Sequence, residues 1–281
     1  AAAAASALAA DAPFVRRTHT LGARTVTTLQ FYDDLAPFYD LIFEDWAESM
    51  ARQGAALDRL FKAELGAAFL GASSTRVLDA ACGIGTQALP LAERGYDVTA
   101  RDLSSGAVSR IRQEAQARQL QIDAAVADMR DVAASVSGIF DIVLAFDNSV
   151  PHLTDDLAIE SAFREFRSVL RPGGLCLCSV RDYDLVERGQ ATTHVYGERR
   201  RGTHTYRVWQ DWAWSSQTHY QVALCIEEQT PDGPTRILRT TAPYYAIPID
   251  HLLRLMALAG FVDCRRLDGA IYQPVLVGRA A

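Results

Sequence analysis

The chain has 281 residues, 49% of them hydrophobic, and a formal net charge of -6; it can bury one full core or a domain with a smaller appendage, which excludes a peptide-like or disordered protein. The acidic balance argues against a nucleic-acid partner, because such proteins present a basic face to the phosphate backbone. Five cysteines without a C-x-x-C pair suggest neither a disulfide framework nor a zinc site, and a reducing cytoplasm fits them.

In chain order, Ala1 to Ala10 is low in complexity, and residues 1–30 read as a flexible arm without a function. The start lacks the basic leader and apolar core of a secretion signal, and no stretch reaches the ~20 apolar residues of a membrane span. Residues 31–75 read as a helical cap: Phe31 to Phe43 and Trp46 to Leu65 form short helices, with Leu57, Leu60, Phe61 and Leu65 at helical spacing. Strands and helices then alternate. Val77-Leu78, Asp97–Ala100, Ala124–Ala127, Phe140–Ala145 and Leu175–Val180 read as strands. Gly85–Arg94, Ser104–Gln119 and Asp155–Leu170 read as helices, the last with Leu157, Phe163, Phe166 and Leu170 on one side. This rhythm predicts an α/β fold, a doubly wound, mostly parallel sheet that binds its ligand at the carboxyl ends of the strands.

From 184 to 241, alternating runs such as Thr205–Trp212 and Tyr220–Ile226 predict an antiparallel β insertion, serving as a substrate lid or an oligomer interface. Arg199-Arg200-Arg201 reads as a solvated loop. The stripe Tyr206, Val208, Trp212, Trp214 reads as the core of a small sheet. A helix over Ile249–Ala259 and strands over Phe261–Leu267 and Ile271–Val277 return the chain to the main sheet, so residues 76–183 and 242–281 form one domain with seven strands.

The segment Val77-Leu78-Asp79-Ala80-Ala81-Cys82-Gly83-Ile84-Gly85-Thr86-Gln87 runs an apolar strand into an acid and then a turn almost without side chains. Such a turn lets backbone approach a nucleotide-like ligand, although a plain tight connection has the same local pattern. Gly83 to Ala88 also fits the dinucleotide fingerprint with alanine at its last glycine, and Asp102 lies near the offset of a ribose-binding acid, so a nicotinamide enzyme is one reading. Three features favour S-adenosylmethionine. Asp79 precedes the glycines, where a carboxylate orients an ammonium group and would repel a pyrophosphate. Asp128-Met129 follows the third strand, where a carboxylate can accept from an adenine amino group and the next residue can flank the ring. The chain also ends in a helix and paired strands instead of a second nucleotide-binding half. Taken singly, Asp102 could cap a helix, Asp79 stabilise a turn and Asp128 sit in a loop. Three acids at successive strand ends are harder to explain separately.

On these residues the chain resembles the class I S-adenosylmethionine-dependent methyltransferases. Val77–Gly85 is similar to their first motif, Gly95–Asp102 to the second, Asp128-Met129 to the third, Phe140–Asn148 to the fourth, and Leu170–Gly174 to the turn before strand five, together spanning 76–182. Ala81 departs from the pattern, where the family usually has glycine or another small residue. The resemblance implies a Rossmann-like methyltransferase fold in which Asp79, Ala81, Gly83, Gly85, Asp102, Leu103, Asp128, Met129 and Phe146 bind S-adenosyl-L-methionine, with S-adenosyl-L-homocysteine as product and no metal.

Asp147–Leu153, Ser179–Asp184 and Pro243-Tyr244-Tyr245 further resemble the glycine and sarcosine N-methyltransferases. That likeness implies a small-molecule acceptor: Arg181 gripping its carboxylate, Asn148 holding its amine or carboxylate, Tyr39 aiming a hydroxyl at the sulfonium, and Tyr245 with Tyr244 closing the substrate side. Arg181 could instead pair with Asp182 or Asp184, Asn148 could be a turn residue, and Tyr32 competes with Tyr39. His152 lines the pocket or merely precedes a helix. The expected function is methyl transfer to the amine of a glycine- or sarcosine-like carboxylate. N- or O-methylation of a natural-product acceptor, and a non-catalytic cofactor-binding protein, are the other readings. Neither nucleic acid nor membrane is an expected partner.

Overall fold

Five short apolar strands separated by helices assemble into one parallel sheet in the computed structural model, which describes residues 27–281 except 67, 68, 70 and 232. The strands are β1 (Arg76–Asp79), β2 (Asp97–Asp102), β3 (Asp123–Val126), β4 (Phe140–Ala145) and β5 (Leu170–Ser179). Two more, β10 (Phe261–Leu267) and β11 (Val275–Ala280), complete a seven-stranded sheet in the order β10-β11-β5-β4-β1-β2-β3. β11 runs antiparallel to β5, and β10 antiparallel to β11. The chain direction across the sheet reverses between β1 and β4, and the crevice at such a switch point is where ligands of these sheets bind.

Both faces of the sheet are covered, as its near-continuous apolar strands require. Val77, Ile142, Leu144, Leu175 and Leu177 pack with α2 (Trp46–Leu65), α3 (Ala88–Glu93) and α4 (Ser105–Ala117). Leu78, Val143, Cys176 and Cys178 pack on the opposite side with α5 (Asp156–Ser168) and α6 (Ile249–Leu258). The inward stripe of α5 is Ile159, Ala162, Phe163 and Phe166, whereas Leu157, expected on it, is 78% exposed. Four intermediate residues separate Leu170, paired with Phe140, from Leu175, paired with Ile142, so Pro172-Gly173-Gly174, expected as the turn before the fifth strand, forms an irregular start to β5.

A second sheet, in the order β6-β7-β8-β9, is built from β6 (Thr192–Arg201), β7 (His204–Trp214), β8 (His219–Gln229) and β9 (Arg236–Tyr245), all antiparallel. It therefore ends at 245, past the expected boundary at 241. Its inner face, with Tyr206, Val208, Trp212, Tyr220, Val222 and Tyr244, packs against Phe31, Leu35 and Leu41 of the N-terminal cap. Arg199 and Arg201 are not solvated loop residues: they lie on β6, where Arg199 donates to the Phe43 carbonyl and Arg201 pairs with Asp40. The cap starts with α1 (Thr28–Leu35), so the helix begins inside the segment read as an arm; residues 1–26 of that arm lie outside the described residues. Among the described residues no helix is long and apolar enough to cross a membrane.

Candidate active site

A cleft of about 300 Å³ opens at the carboxyl ends of β1, β2 and β4, beneath α1. Asp33 fixes that helix above it: its carboxylate accepts from Ser104 Oγ at 2.6 Å and from the Gly106 N–H at 2.9 Å, at the start of α4. Thr28, Tyr32 and Tyr39 of the cap consequently face the turn Ala80–Ile84 across the cleft.

Three carboxylates gather at this end of the sheet: Asp102 and Asp147 line the cleft, and Asp79, expected to bind the donor, does not. Asp79 ends β1 and is fully buried; its Oδ1 accepts weakly from the Ala81 N–H at 3.4 Å and its Oδ2 has no partner. Burial, with the neighbouring charges of Asp102 and Asp147, pushes its pKa up to about 8. Asp102 ends β2, and its two oxygens accept from the Gly83 N–H at 2.8 Å and the Ser104 N–H at 2.9 Å, tying the turn after β1 to the turn after β2. Burial raises its pKa, against the pull of those two bonds. Asp147 follows β4 and accepts from Gln87 Nε2 at 3.0 Å and the Tyr272 hydroxyl at 2.7 Å; burial raises its pKa as well. None of the three forms an ion pair among the described residues, and carboxylates shielded from water without a counter-charge suit a cationic ligand, whose charge would favour the ionised form of Asp79.

The glycines divide the work of the turn. Gly83 lines the cleft at φ +51, and a Cβ there would meet nothing within 4 Å. Gly85, at φ +99, does not line it: a Cβ would collide with Leu89 at 2.8 Å and Ile111 at 2.9 Å, so this glycine lets the turn pack on α3 and α4. Ala81 has no positive φ, and its methyl group fits without strain.

The other expected cofactor residues, Leu103, Asp128, Met129 and Phe146, line the same cleft. Asp128 is held by Arg130, whose guanidinium pairs with it at 2.5 Å and whose N–H donates to it at 2.8 Å, and this keeps its carboxyl below the usual range. The tyrosines of the roof are neutral: burial and then the Asp147 charge raise the Tyr39 hydroxyl well above its ordinary pKa.

Residues expected to meet the acceptor are placed differently. Arg181 stands outside this cleft, its guanidinium 4.3 Å from the centre of the Trp212 ring and donating to the Tyr220 hydroxyl at 3.1 Å. The alternative pairing with Asp182 or Asp184 does not occur, because Asp182 pairs with Arg266 and Asp184 with Arg188. Asn148 is buried and braces β4 against β5: its Oδ1 accepts from the Arg181 N–H at 2.9 Å and its Nδ2 donates to Tyr183 at 2.8 Å. It therefore holds the backbone that carries Arg181 and does not line the cleft. Tyr245 points away, its ring stacked on His219 and its hydroxyl on Asp156. Strand alternation turns Tyr244 inward instead, onto Tyr220 and His152.

Four residues of the cleft region carried no individual signal in the sequence. Thr86 and Gln87 directly follow the glycines, and Thr86 receives the Trp46 indole N–H at 3.0 Å. Asp147 adjoins Asn148, and only Tyr272 of the four is distant from any motif.

Residues 77–174 match the model of a family described as Methyltransferase domain. Over these residues the chain carries a methyltransferase domain. A curated relative, the glycine/sarcosine N-methyltransferase of Parasynechococcus marenigrum (strain WH8102), is 31% identical over 169 residues, 60% of this chain and 57% of that protein. The chain spans about half the length of such curated relatives, with 46% covered in the enzyme of the same name from Halorhodospira halochloris. Similarity of fold extends past the matched segment. Streptomyces venezuelae DesVI superposes with a TM-score of 0.73 at 18% identity, over 88% of this chain and 98% of that one.

The site fits the methyl donor of this domain class on its own geometry. The buried Asp79 Oδ2 has no partner among the described residues, as an acceptor awaiting a donor would, and the Gly83 turn leaves space where a side chain would stand.

Proposed function

We propose that the protein transfers the methyl group of S-adenosylmethionine to the amine of a small, carboxylate-bearing molecule of the glycine or sarcosine kind. The observation that carries the acceptor half is Arg181, a half-buried guanidinium with no carboxylate partner among the described residues, framed by Trp212 and the tyrosine hydroxyls of the second sheet. Such a group suits bidentate capture of a carboxylate.

The bound donor would supply an electrophilic methyl group on a sulfonium. What the chain contributes is placement. Asp79 would hold the ammonium end, Asp102 the ribose, and Asp128 with Met129 the adenine, while Phe146 and Leu103 wall the cleft. The aromatic roof of Tyr32, Tyr39 and Tyr244 keeps water from the point of transfer. Holding two reactants in line in this way removes roughly 7 to 11 kcal/mol of barrier. Five free cysteines among the described residues accord with a reducing, cytoplasmic setting.

A second reading takes a larger acceptor such as an amino sugar, favoured by a cavity of about 450 Å³ that Arg181 lines. Incubation of the purified chain with S-adenosylmethionine and glycine, sarcosine, an amino sugar or a hydroxylated aromatic, read by mass, separates the two. Methylation of sarcosine, with a Michaelis constant that rises in Arg181→Ala while S-adenosylhomocysteine affinity holds, supports the proposal. Transfer to no amine overturns it.

A further inference from the structure

Asp128 differs from Asp79, Asp102 and Asp147 in already having its counter-charge. The Arg130 guanidinium grips both of its oxygens: Nε donates to Oδ1 at 3.0 Å and to Oδ2 at 3.1 Å, and Nη2 donates to Oδ2 at 2.5 Å. The Arg130 backbone N–H adds a bond to Oδ1 at 2.8 Å, closing a ring between residues 128 and 130. Both residues line the donor cleft. Asp155 lines it too, but caps α5 by accepting from the Ala158 N–H at 2.8 Å.

The backbone beneath does not depend on this ring. Met129–Ser135 is a 3-10 segment pinned at its far end, where the buried Arg101 of β2 donates to the Ser135 carbonyl at 2.7 Å and Glu165 of α5 accepts from the Ala133 N–H at 3.0 Å. The Arg130 side chain is 51% exposed, and an ion pair so exposed adds little to stability. Its consequence is for hydrogen bonding. An ionised carboxylate offers about four acceptor positions, and Arg130 supplies three N–H groups to this one.

We propose that Arg130 sets the purine selectivity of the donor site: by filling all but one acceptor position of Asp128, it leaves room for a single N–H, which the exocyclic amino group of adenine supplies and which a 6-oxopurine replaces with a carbonyl oxygen. The inference rests on the placement of adenine at Asp128 in the functional reading above. Arg130 acts through Asp128 and so is a positioning residue. Released from that grip, the carboxylate can turn to accept from the ring N1–H of a 6-oxopurine instead.

The experiment is calorimetric titration of S-adenosylhomocysteine and S-inosylhomocysteine into the wild-type protein and three variants. The wild type should prefer the adenosyl ligand by about thirtyfold or more, as expected for a hydrogen bond to a charged group. Arg130→Ala should lower that ratio to below about fivefold while weakening S-adenosylhomocysteine by no more than about tenfold. Arg130→Lys, which keeps the charge but not the two-pronged grip, should bind S-adenosylhomocysteine nearly as the wild type does, with an intermediate ratio. Asp128→Asn should erase the preference, because its amide can donate to a 6-carbonyl. A wild-type ratio in Arg130→Ala, with both ligands weakened equally, is what a merely structural arginine gives; it overturns the inference and leaves the adenine placement standing if Asp128→Asn loses the preference. A preference kept in Asp128→Asn overturns the placement and the inference together. A wild-type protein that binds no S-adenosylhomocysteine overturns the methyl-donor reading itself.

Discussion

The Tyr32 hydroxyl lies 2.6 Å from His152 Nε2, joining the N-terminal cap to the loop after β4 across the roof of the donor cleft. His152 Nδ1 faces the Pro243 carbonyl at 3.2 Å, so that nitrogen carries the proton and Nε2 accepts from Tyr32. Burial lowers the imidazole pKa to about 3. The unfolded chain thus binds a proton near pH 6.5 that the folded chain refuses, and stability falls as pH drops from about 6.5 towards 3. His152→Gln should flatten this part of a urea-denaturation pH profile, and its methyl-transfer rate should keep the wild-type pH dependence between pH 6 and 8. A lost inflection near pH 6.5 in the variant's rate would show that His152 titrates during turnover.

Asp79 imposes the opposite slope. Its carboxyl is raised to about 8 by burial, so the folded state holds a proton that the unfolded state gives up near pH 4. Stability of the ligand-free protein should fall as pH rises from about 4 to 8. Asp79→Asn should raise the melting temperature without ligand at pH 8 and weaken S-adenosylhomocysteine by at least about tenfold. Thermal shift with and without S-adenosylhomocysteine measures both effects.

The two glycines of the turn should separate stability from binding. Gly85→Ala drives a methyl group into Leu89 and Ile111 and should cost about 2 to 3 kcal/mol in urea unfolding. Gly83→Ala meets no atom and should cost only about 1 kcal/mol for its backbone. Its larger effect should be on donor affinity, because the methyl group enters the cleft.

Asp33→Ala removes the carboxylate that anchors α1 to the start of α4. A loss of about 1 to 2 kcal/mol is expected, with higher Michaelis constants for donor and acceptor alike, since α1 roofs the cleft. An unchanged donor constant would show that the cap is positioned by its apolar contacts alone.

The sequence brought most of the expected donor residues to one end of the sheet. A carboxylate, two glycines and two further acids lie at strand ends, and a strand's direction alone carries Asp79, Asp102 and Asp128 to one edge of the sheet. Gly85 shows the limit of that reading: the pattern grouped it with the ligand turn, while close packing against α3 and α4 is what requires it. The period of two along β9 marks Tyr244 and Tyr245 as facing opposite ways, yet nothing local says which face is inner.

What the sequence by itself determined was therefore the main sheet and the identity of the methyl donor, because both depend on short segments whose residues act where they stand. The surroundings of Arg181 and Tyr272 were decided by the tertiary structure. Tyr272 meets Asp147 across 125 positions, and Arg181 meets Trp212 and Tyr220 from another sheet. Such contacts join segments far apart in the chain, and packing is a property of the whole chain's shape that no single segment specifies.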